Sequence, residues 1–324
     1  MKKIHFVSLM FASLLLLPLT AARAQYPERP IRLIVPWPAG GSTDAVARIL
    51  AQGLGETLGG TVIVENKGGA NGVIGTRLVA VSPPDGYTLL MGSSGPLTVA
   101  GAVQPTKLSY DPVKSFTPVM LVAKIPLVLV VNPSVPAHTL KEFIRLAKAQ
   151  PSHLTLANAG VGSSNQLTGA LFQSVTNTKL TNIPYKGSGP ALTDLIGGQV
   201  NAYFDQISTS SPLVHSGKLR AIVVTSKNRS AQLPDTPTME ESGFPGFDTN
   251  TFFGILLPAG ASKAVVNRLN AALIKTVRLK KTQDSFTRLG FESSVSTPRE
   301  FHDFMKKDLS NWSKVARDNN ITLE

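Results

Sequence analysis

The segment Ile31-Arg-Leu-Ile-Val-Pro-Trp-Pro-Ala-Gly-Gly-Ser-Thr-Asp44 decides the fold of this chain. Its apolar start predicts a buried strand, and the Pro/Gly turn leads at once into a helix with Asp44 in the first turn. The first N–H groups of such a helix have no partner within it. Because Gly40 and Gly41 carry no Cβ, an anion can approach those amides closely. The turn therefore indicates an anion site, although an ordinary strand-to-helix turn with a Ser/Thr cap has the same sequence.

Strand-like and helix-like segments alternate along most of the chain, which is typical of parallel α/β domains. The pattern of a strand followed by a small-residue turn at a helix start occurs a second time. Strand 154–157 runs into the small-residue turn 159–164, and another helix follows. Two apolar stretches, 119–123 and 127–131, are separated by a short break that contains a proline. This break predicts that the chain crosses from the first domain to the second. The Pro- and Gly-rich segment 226–245 predicts a second crossover, by which the chain returns to the first domain.

The chain is too long for one hydrophobic core, because single cores stop growing near 250–300 residues. We expect two domains of about 150 residues each, joined by the two crossovers. Lobe 1 comprises residues 25–123 and 229–324, and lobe 2 comprises residues 124–228. The C-terminal helices return to the first lobe, which makes that lobe discontinuous.

Residues 1–24 have the pattern of a secretory signal peptide: Lys2 and Lys3, an apolar run, and Ala22-Arg-Ala24 at the end. The apolar run is shorter than the roughly 20 residues that a membrane span needs. The chain contains no cysteine, so we expect no lipoprotein anchor, and disulfides and thiolate metal sites are excluded. We expect the mature protein to be soluble and exported to the periplasm.

The charge balance favours an anionic ligand. Removing Lys2, Lys3 and Arg23 from the 32 basic residues leaves 29 against 20 acidic ones, a net charge of +9. Such a surplus raises the local concentration of an anion and its association rate. Nucleic acid is not an expected partner, because the basic residues are scattered and no cluster of them is interleaved with aromatic residues.

The motifs of catalysis and of cofactor binding are incomplete. Gly92-Ser-Ser-Gly95 and Gly162-Ser-Ser164 lack the G-x-S-x-G spacing of a nucleophile elbow. The glycine-rich turns fit neither a dinucleotide fingerprint nor a Walker motif. We therefore predict no enzymatic activity and no cofactor or metal, and an exported hydrolase using Ser93 or Ser163 remains the rival interpretation. The histidines of the mature chain, none of which has a partner at metal-ligand spacing, are His138, His153, His215 and His302.

Several short motifs, in this order and spacing, resemble the Bug-type receptors of tripartite tricarboxylate transporters. The resemblance covers essentially the whole mature chain. Each motif alone is weak, and it is their joint order that is specific. The motifs are Tyr26-Pro-Glu-Arg-Pro-Ile31, Val35-Pro-Trp-Pro-Ala-Gly-Gly41, Val64-Glu-Asn-Lys-Gly-Gly-Ala-Asn-Gly72, Pro84-Asp-Gly-Tyr-Thr88, Ile183-Pro-Tyr-Lys-Gly187, Leu233-Pro-Asp-Thr-Pro-Thr238 and Leu257-Pro-Ala-Gly260.

The resemblance implies a two-lobed periplasmic binding protein fold of type II, which closes on a carboxylate and hands it to membrane permease subunits. We expect a monomer. In such receptors the loops that correspond to 37–41 and 160–164 hold a carboxylate, partly through ordered water. The candidate ligand-binding residues are Trp37, Pro38, Ala39, Gly40, Gly41, Asp44, Ser93, Ser94, Gly160, Gly162, Ser163, Ser164, Tyr185, Lys186, Gly187 and Asp205.

Four of these candidates have two interpretations. Asp44 is either a ligand contact or a partner of the helix dipole, and Lys186 either faces a ligand carboxylate or is solvated. Asp205 is a candidate for a ligand ammonium or hydroxyl group, or else a cap. Trp37 either stacks on an aromatic acid or simply walls the cleft.

The chain departs from the family pattern at Asn165-Gln166, where a histidine is frequent, and at Asn201, where an aspartate is frequent. These departures weaken the transfer of any particular substrate. Aromatic acids, citrate-like acids, acidic amino acids and nicotinate-like compounds all stay open as ligands. A receptor that signals to a membrane sensor kinase is the alternative to one that feeds a permease.

Overall fold

The computed structural model describes residues 26–160 and 162–321, so the predicted signal peptide lies outside the described residues. No helix in these ranges has the length and apolar character needed to cross a bilayer. The strands are β1 (Ile31–Val35), β2 (Val62–Asn66), β3 (Thr88–Ser93), β4 (Phe116–Val131), β5 (Thr155–Asn158), β6 (Thr181–Pro184), β7 (Ala202–Gln206), β8 (Arg220–Val224), β9 (Asn250–Pro258) and β10 (Glu292–Ser293). The α-helices are α1 (Ser42–Leu58), α2 (Val73–Ala80), α3 (Ala100–Val103), α4 (Leu140–Ala149), α5 (Ser164–Thr176), α6 (Ser188–Ile196), α7 (Ile207–His215), α8 (Lys263–Arg278), α9 (Lys280–Arg288) and α10 (Pro298–Asp318).

The strands form a mixed sheet in the order β2-β1-β3-β9-β4-β7-β5-β6, with β8 and β10 also paired to β4. In the first half β1 is parallel to β2 and β3, and in the second half β5 is parallel to β6 and β7. The strands that pass between the halves, β4 and β9, run antiparallel to their neighbours. The predicted α/β architecture is thus confirmed, with two parallel regions joined by an antiparallel centre.

Strand β4 belongs to both halves. Residues from Phe116 to Pro126 pair with β9, and residues from Leu127 to Val131 pair with β7 and β8. The two apolar stretches are therefore parts of one continuous strand, and the crossover between domains expected at this segment stays a prediction. The charge of Lys124 is accommodated within the strand, since its ammonium lies 4.8 Å from the centre of the Phe304 ring.

Helix α2 begins at Val73, directly after a 3₁₀ turn at Ala70–Gly72. Asn71 has φ +52° and Gly72 has φ +88°, and these left-handed conformations end a 3₁₀ turn before α2 starts at Val73. Asparagine and glycine adopt this region more readily than other residues. The turn therefore changes the direction of the chain just before α2.

The return segment packs on the second half. Met239 and Phe247 share a buried cluster with Phe143 and Phe172, which lie on α4 and α5. We propose two lobes that meet at β4 and β9, with residues 229–249 packed against the second lobe. The C-terminal helix α10 also reaches both halves, because Trp312 clusters with Leu167 of α5.

Helix α10 packs closely against β9 at Gly254. Phe301 is fully buried there, and a Cβ on Gly254 would collide with its ring and lie 3.0 Å from the main-chain oxygen of Met120. We expect Gly254→Ala to destabilise the protein by about 1–3 kcal/mol, because overpacking forces a buried neighbour to move. Urea unfolding of both proteins measures the difference.

The matched control is Gly197→Ala at the end of α6, where the nearest atom to a new Cβ is 3.5 Å away. This substitution should leave the free energy of unfolding nearly unchanged. Equal stability of Gly254→Ala and the wild type would show that the contact between α10 and β9 is looser than described.

Candidate ligand-binding cleft

Four helices begin at the wall of one cavity of about 450 Å³ between the two halves. The first turn of α1 comes from the first half, and those of α5, α6 and α7 come from the second. Because each helix starts where a strand ends, the sheet order brings these starts together. The lining residues are Trp37, Pro38, Ala39, Gly40, Gly41, Ser42, Thr43, Ser93, Gly95, Ala159, Ser163, Ser164, Asn165, Lys186, Gly187, Ser188, Gly189, Pro190, Leu192, Gln206, Thr209 and Thr251.

The turn before α1 opens main-chain amides to this cavity. Gly41 occupies the N-cap position in an extended conformation, and no side chain caps the helix. Gly40 has φ +89°, a conformation that favours glycine. The Gly40 N–H donates to Asp44 Oδ2 at 3.0 Å, so that amide is already in use. The amides that follow it are therefore the ones that this turn offers to an anion.

Asp44 holds this turn and does not line the cavity. Its Oδ2 accepts from Arg48 Nε at 3.0 Å as well as from Gly40, and its Oδ1 accepts from Asn66 Nδ2 at 2.9 Å. The same Asn66 amide also donates to the main-chain oxygen of Trp37 at 3.1 Å. Burial acts to raise the pKa of Asp44, but the hydrogen bonds from Arg48, Gly40 and Asn66 outweigh it, so the pKa lies below its usual value.

Trp37 forms one wall of the cavity in a fixed orientation. Its indole Nε1 donates to Ser93 Oγ at 3.1 Å. A Cβ on Gly95 would lie 3.0 Å from the Trp37 ring, so glycine at this position lets the indole lie against the main chain. The neighbouring Ser94 is buried, lies outside the cavity and accepts the N–H of Phe252 at 2.9 Å.

The start of α5 is satisfied largely by its own side chains. Ser163 Oγ accepts the Gln166 N–H at 3.3 Å, and Gln166 Oε1 accepts the Gly162 N–H at 2.7 Å. This pair resembles a capping box but differs from it, because Gln166 accepts from Gly162, the residue before the N-cap, and not from the N-cap Ser163 itself. Gly162 is therefore not free to bind a ligand through its amide, and Gly160, whose φ is +124°, packs near Asn71 and Tyr185 instead.

Helices α6 and α7 resemble α1 in that no side chain caps them. Their N-cap residues are Gly187 and Gln206. Lys186 precedes the first of these starts and is the one charged side chain among the described residues that line the cavity. Tyr185 points elsewhere, because its hydroxyl donates to Asp194 Oδ2 at 2.7 Å. The electrostatic character of the cavity is thus positive.

Asp205 lies fully buried behind α7, outside the cavity wall. Its Oδ2 accepts from Thr209 Oγ1 at 2.5 Å and from Ser210 Oγ at 2.8 Å. Burial raises the pKa of Asp205 above its usual value, although these hydroxyl groups oppose the shift. The structure therefore gives Asp205 no direct access to a ligand in the cavity.

The structure brings most of the predicted site residues together. Half of the lining residues that were missed lie in α6 or at the start of α7. The turn Gly187-Ser-Gly189 at the start of α6 is of the same kind as those before α1 and α5, whereas the start of α7 has no such turn. The predicted residues that line the cavity are Trp37, Pro38, Ala39, Gly40, Gly41, Ser93, Ser163, Ser164, Lys186 and Gly187. The predicted residues that do not line it are Asp44, Ser94, Gly160, Gly162, Tyr185 and Asp205.

The two halves touch at the cavity through hydroxyl groups. Ser42 Oγ of α1 lies 2.8 Å from Ser208 Oγ of α7, and Ser164 Oγ of α5 lies 3.4 Å from Thr251 Oγ1 of β9. Within residues 26–160 and 162–321, no group of histidine and acidic side chains is arranged to hold a metal ion. The arrangement suits a small anion held between the halves.

Replacing Asp44 should loosen the turn before α1. Its lowered pKa means that the stabilising charge is present at neutral pH and is lost as the pH falls below about 4, the pKa of an unfolded aspartate. We expect Asp44→Ala to cost about 1.5–3 kcal/mol of unfolding free energy at pH 7, because it removes hydrogen bonds to a charged group. The difference from the wild type should shrink as the pH falls below about 4.

Urea unfolding at pH 7 and pH 3 measures both effects. Asp303→Ala is the control, since Asp303 is exposed and its Oδ2 lies 3.8 Å from Arg299 Nε. It should change stability little at either pH. A pH-independent loss in Asp44→Ala would contradict the role assigned to the Asp44 charge.

Similar solved structures confirm the fold. The periplasmic binding protein BugD is 37% identical, with a TM-score of 0.84 over 92% of this chain and 99% of that one. A Rhodopseudomonas palustris protein with adipate is 31% identical, with a TM-score of 0.85 over 92% of this chain and 99% of that one. The protein MatC from the same species, with bound malate, is 33% identical, with a TM-score of 0.82 over 90% of this chain and 99% of that one.

The family model for the tripartite tricarboxylate transporter family receptor matches residues 46–321. This match covers most of the chain and includes the starts of α5, α6 and α7. The expected two-lobed periplasmic binding protein fold is thereby confirmed together with the resemblance. The chain belongs to the tripartite tricarboxylate transporter receptor family, the Bug-type solute-binding proteins.

Proposed function

We propose that this protein captures a small carboxylate in the cleft between its lobes and delivers it to the permease subunits of a tripartite tricarboxylate-type transporter. The observation that carries the proposal is the convergence of three helix starts without side-chain caps, those of α1, α6 and α7, on one cavity. Unpaired amides at the positive ends of helix dipoles stabilise a carboxylate without a dedicated cationic side chain.

The charges around the cavity support an anionic ligand. No acidic side chain is among the described residues that line it, and Lys186 adds a positive charge at its edge. The nearby carboxylates are held in other networks, Asp44 by Arg48 and Asp205 by hydroxyl groups. An anion in the cavity therefore meets donors and is not repelled by a facing carboxylate.

The position of the cavity explains how binding could be signalled to a membrane partner. Both lobes supply lining residues, so a bound ligand contacts both at once and stabilises the closed arrangement. A permease that recognises the closed form would then receive only loaded receptor. We place the mature protein in the periplasm as a monomer, in keeping with the signal peptide predicted at residues 1–24 and with the periplasmic binding protein BugD, which is similar to it.

A receptor for a membrane sensor kinase is the alternative, because the same closed form could dock on a kinase. Uptake of a radiolabelled ligand into vesicles that contain the permease subunits distinguishes the two roles. Uptake that requires the receptor supports delivery. Uptake that proceeds equally without the receptor contradicts it.

The rival hydrolase has little support at either candidate nucleophile. Ser93 Oγ accepts the Trp37 indole N–H, and Ser163 Oγ caps α5. No histidine or carboxylate is among the described residues that line the cavity, so neither serine has a base beside it there. We infer that the protein binds its ligand without turnover, and an ester-hydrolysis assay with the carboxylates' methyl esters tests this.

Isothermal titration calorimetry of the mature protein against a panel of carboxylates tests the proposed function. The protein is first unfolded and refolded so that ligand carried through purification is removed. Binding of at least one acid, with a matching rise in melting temperature, is the expected result. A panel of mono-, di- and tricarboxylates that all fail to bind would overturn the carboxylate assignment.

Gly41→Leu should block the cavity and leave the fold intact. Gly41 has φ −86°, which any residue adopts, and no atom lies within 4 Å of the position of a new Cβ. The leucine side chain would project into the space that the ligand occupies. We expect the dissociation constant to rise at least about tenfold, with little change in the melting temperature without ligand.

Gly197→Leu is the matched control, because Gly197 lies at the far end of α6, outside the cavity lining. It should bind the same acid with wild-type affinity. Wild-type affinity in Gly41→Leu itself would show that the ligand binds elsewhere.

A further inference from the structure

The hydroxyl of Thr209 donates its proton to an acceptor within the protein and not to the cavity. Thr209 lines the cavity from α7, and its Oγ1 donates to Asp205 Oδ2 at 2.5 Å or to the main-chain oxygen of Gln206 at 2.9 Å. A threonine hydroxyl has one proton and two lone pairs. Both of these neighbours are acceptors that lie within the protein. The cavity therefore meets the lone pairs of Thr209 and not its proton.

The Thr209 hydroxyl donates its proton within the protein whether or not Asp205 is protonated. When Asp205 is ionised, its carboxylate accepts from Thr209 and Ser210. When Asp205 is protonated, the carbonyl of Gln206 still accepts the Thr209 proton. In either state Thr209 presents an acceptor to the ligand.

Asn165 provides a second acceptor, near the end of strand β7. It lines the cavity from α5, and its Nδ2 donates to the main-chain oxygen of Phe204 at 2.7 Å. Because a carbonyl oxygen can only accept, this bond fixes which side of the amide is nitrogen. The oxygen Oδ1 lies on the other side. Phe204 and Gln206 both belong to β7, so the contacts of Asn165 and Thr209 converge on the end of that strand.

The rest of the cavity offers donors. The starts of α1, α6 and α7 present main-chain amides, and Lys186 presents an ammonium group. Ser93 receives the Trp37 indole N–H, which leaves its own proton for the cavity. A ligand whose only polar groups are carboxylates would match these donors but would place acceptor against acceptor at Thr209 and would offer no donor to the Asn165 oxygen. An unpaired polar group in a desolvated site costs binding free energy.

We propose that the ligand carries a hydrogen-bond donor, a hydroxyl or an ammonium group, beside its carboxylate, and that Thr209 and Asn165 select for that donor. This inference rests on the proposed function and narrows its ligand to hydroxy- or aminocarboxylates. Asp205, the residue expected to meet such a donor, acts one step away by orienting Thr209.

Matched sets of acids test the inference by calorimetry on the refolded mature protein. The sets are propionate, lactate and alanine; succinate, malate and aspartate; and glutarate, 2-hydroxyglutarate and glutamate. Within the set of the right length, the hydroxy or amino acid should bind at least about tenfold more tightly than the unsubstituted acid. Sites built to hydrogen-bond a substrate group reject analogues that lack the group, because their own polar atoms are then left unpaired.

Thr209→Val removes the oxygen and keeps the shape of the side chain. We expect it to weaken binding of the substituted acid about tenfold and to leave the unsubstituted acid unchanged or bound more tightly. Thr209→Ser keeps the hydroxyl and should keep the preference. If Thr209→Val does not fold, as judged by its melting temperature, Thr209→Ala removes the same oxygen with less bulk.

Thr193→Val is the matched control on the neighbouring helix. Thr193 is exposed outside the cavity lining, and its hydroxyl likewise donates to a main-chain oxygen, that of Gly189, at 3.1 Å. This variant should retain the wild-type preference.

Four results would overturn the inference. Equal affinity for the members of every set that binds would show that no donor is recognised. Equal weakening of both kinds of acid by Thr209→Val would show that Thr209 reaches the carboxylate through a bridging water molecule. Binding of an acid without a hydroxyl or ammonium group, such as tricarballylate or benzoate, with none of the three sets, would overturn the inference and leave the proposed function standing. Failure of every carboxylate would overturn both.

Discussion

One constraint of parallel β–α units governs this protein: each helix begins where its strand ends, so unpaired N–H groups gather at one edge of the sheet. Here β1, β5, β6 and β7 lead into α1, α5, α6 and α7, and all four starts line one cavity. The four helix starts differ in whether a side chain caps them. The chain satisfies α5 with Ser163 and Gln166 and leaves α1, α6 and α7 without side-chain caps. The positive potential of the cavity follows from that difference.

The acidic side chains near the cavity preserve this potential because they are occupied elsewhere. Asp44 ties the turn before α1 to Arg48 and Asn66, and Asp205 binds hydroxyl groups of α7. Each carboxylate therefore lies outside the cavity lining and positions another group that does line the cavity. A direct ligand contact was one of the two interpretations of these residues, and it differs chemically from the orienting role that the structure indicates. A carboxylate in direct contact with the ligand would attract a cation, whereas a carboxylate outside the cavity lining orients the groups that contact the ligand.

The sequence predicted the parts of this structure that are encoded locally. The apolar strand and Gly-Gly turn before α1 form a continuous signal, and the family resemblance depends on similar short motifs. Thr209 and Gln206 gave no signal, because only the order of β5, β6 and β7 in the sheet brings them to the cavity. The Gly162 amide was expected to be open, but Gln166 four residues later occupies it. Sequence spacing shows that a turn exists and does not show which of its amides remain free.

Recognition through main-chain amides has an evolutionary consequence. Every residue except proline supplies the same N–H group, so most substitutions at the start of α1, α6 or α7 that preserve the fold also preserve the amides that face the cavity. Side chains such as Thr209 and Asn165 have no such protection and can change independently. Duplicated genes encoding this fold can therefore diverge in ligand choice through a few side chains, while the ability to hold an anion is inherited with the backbone.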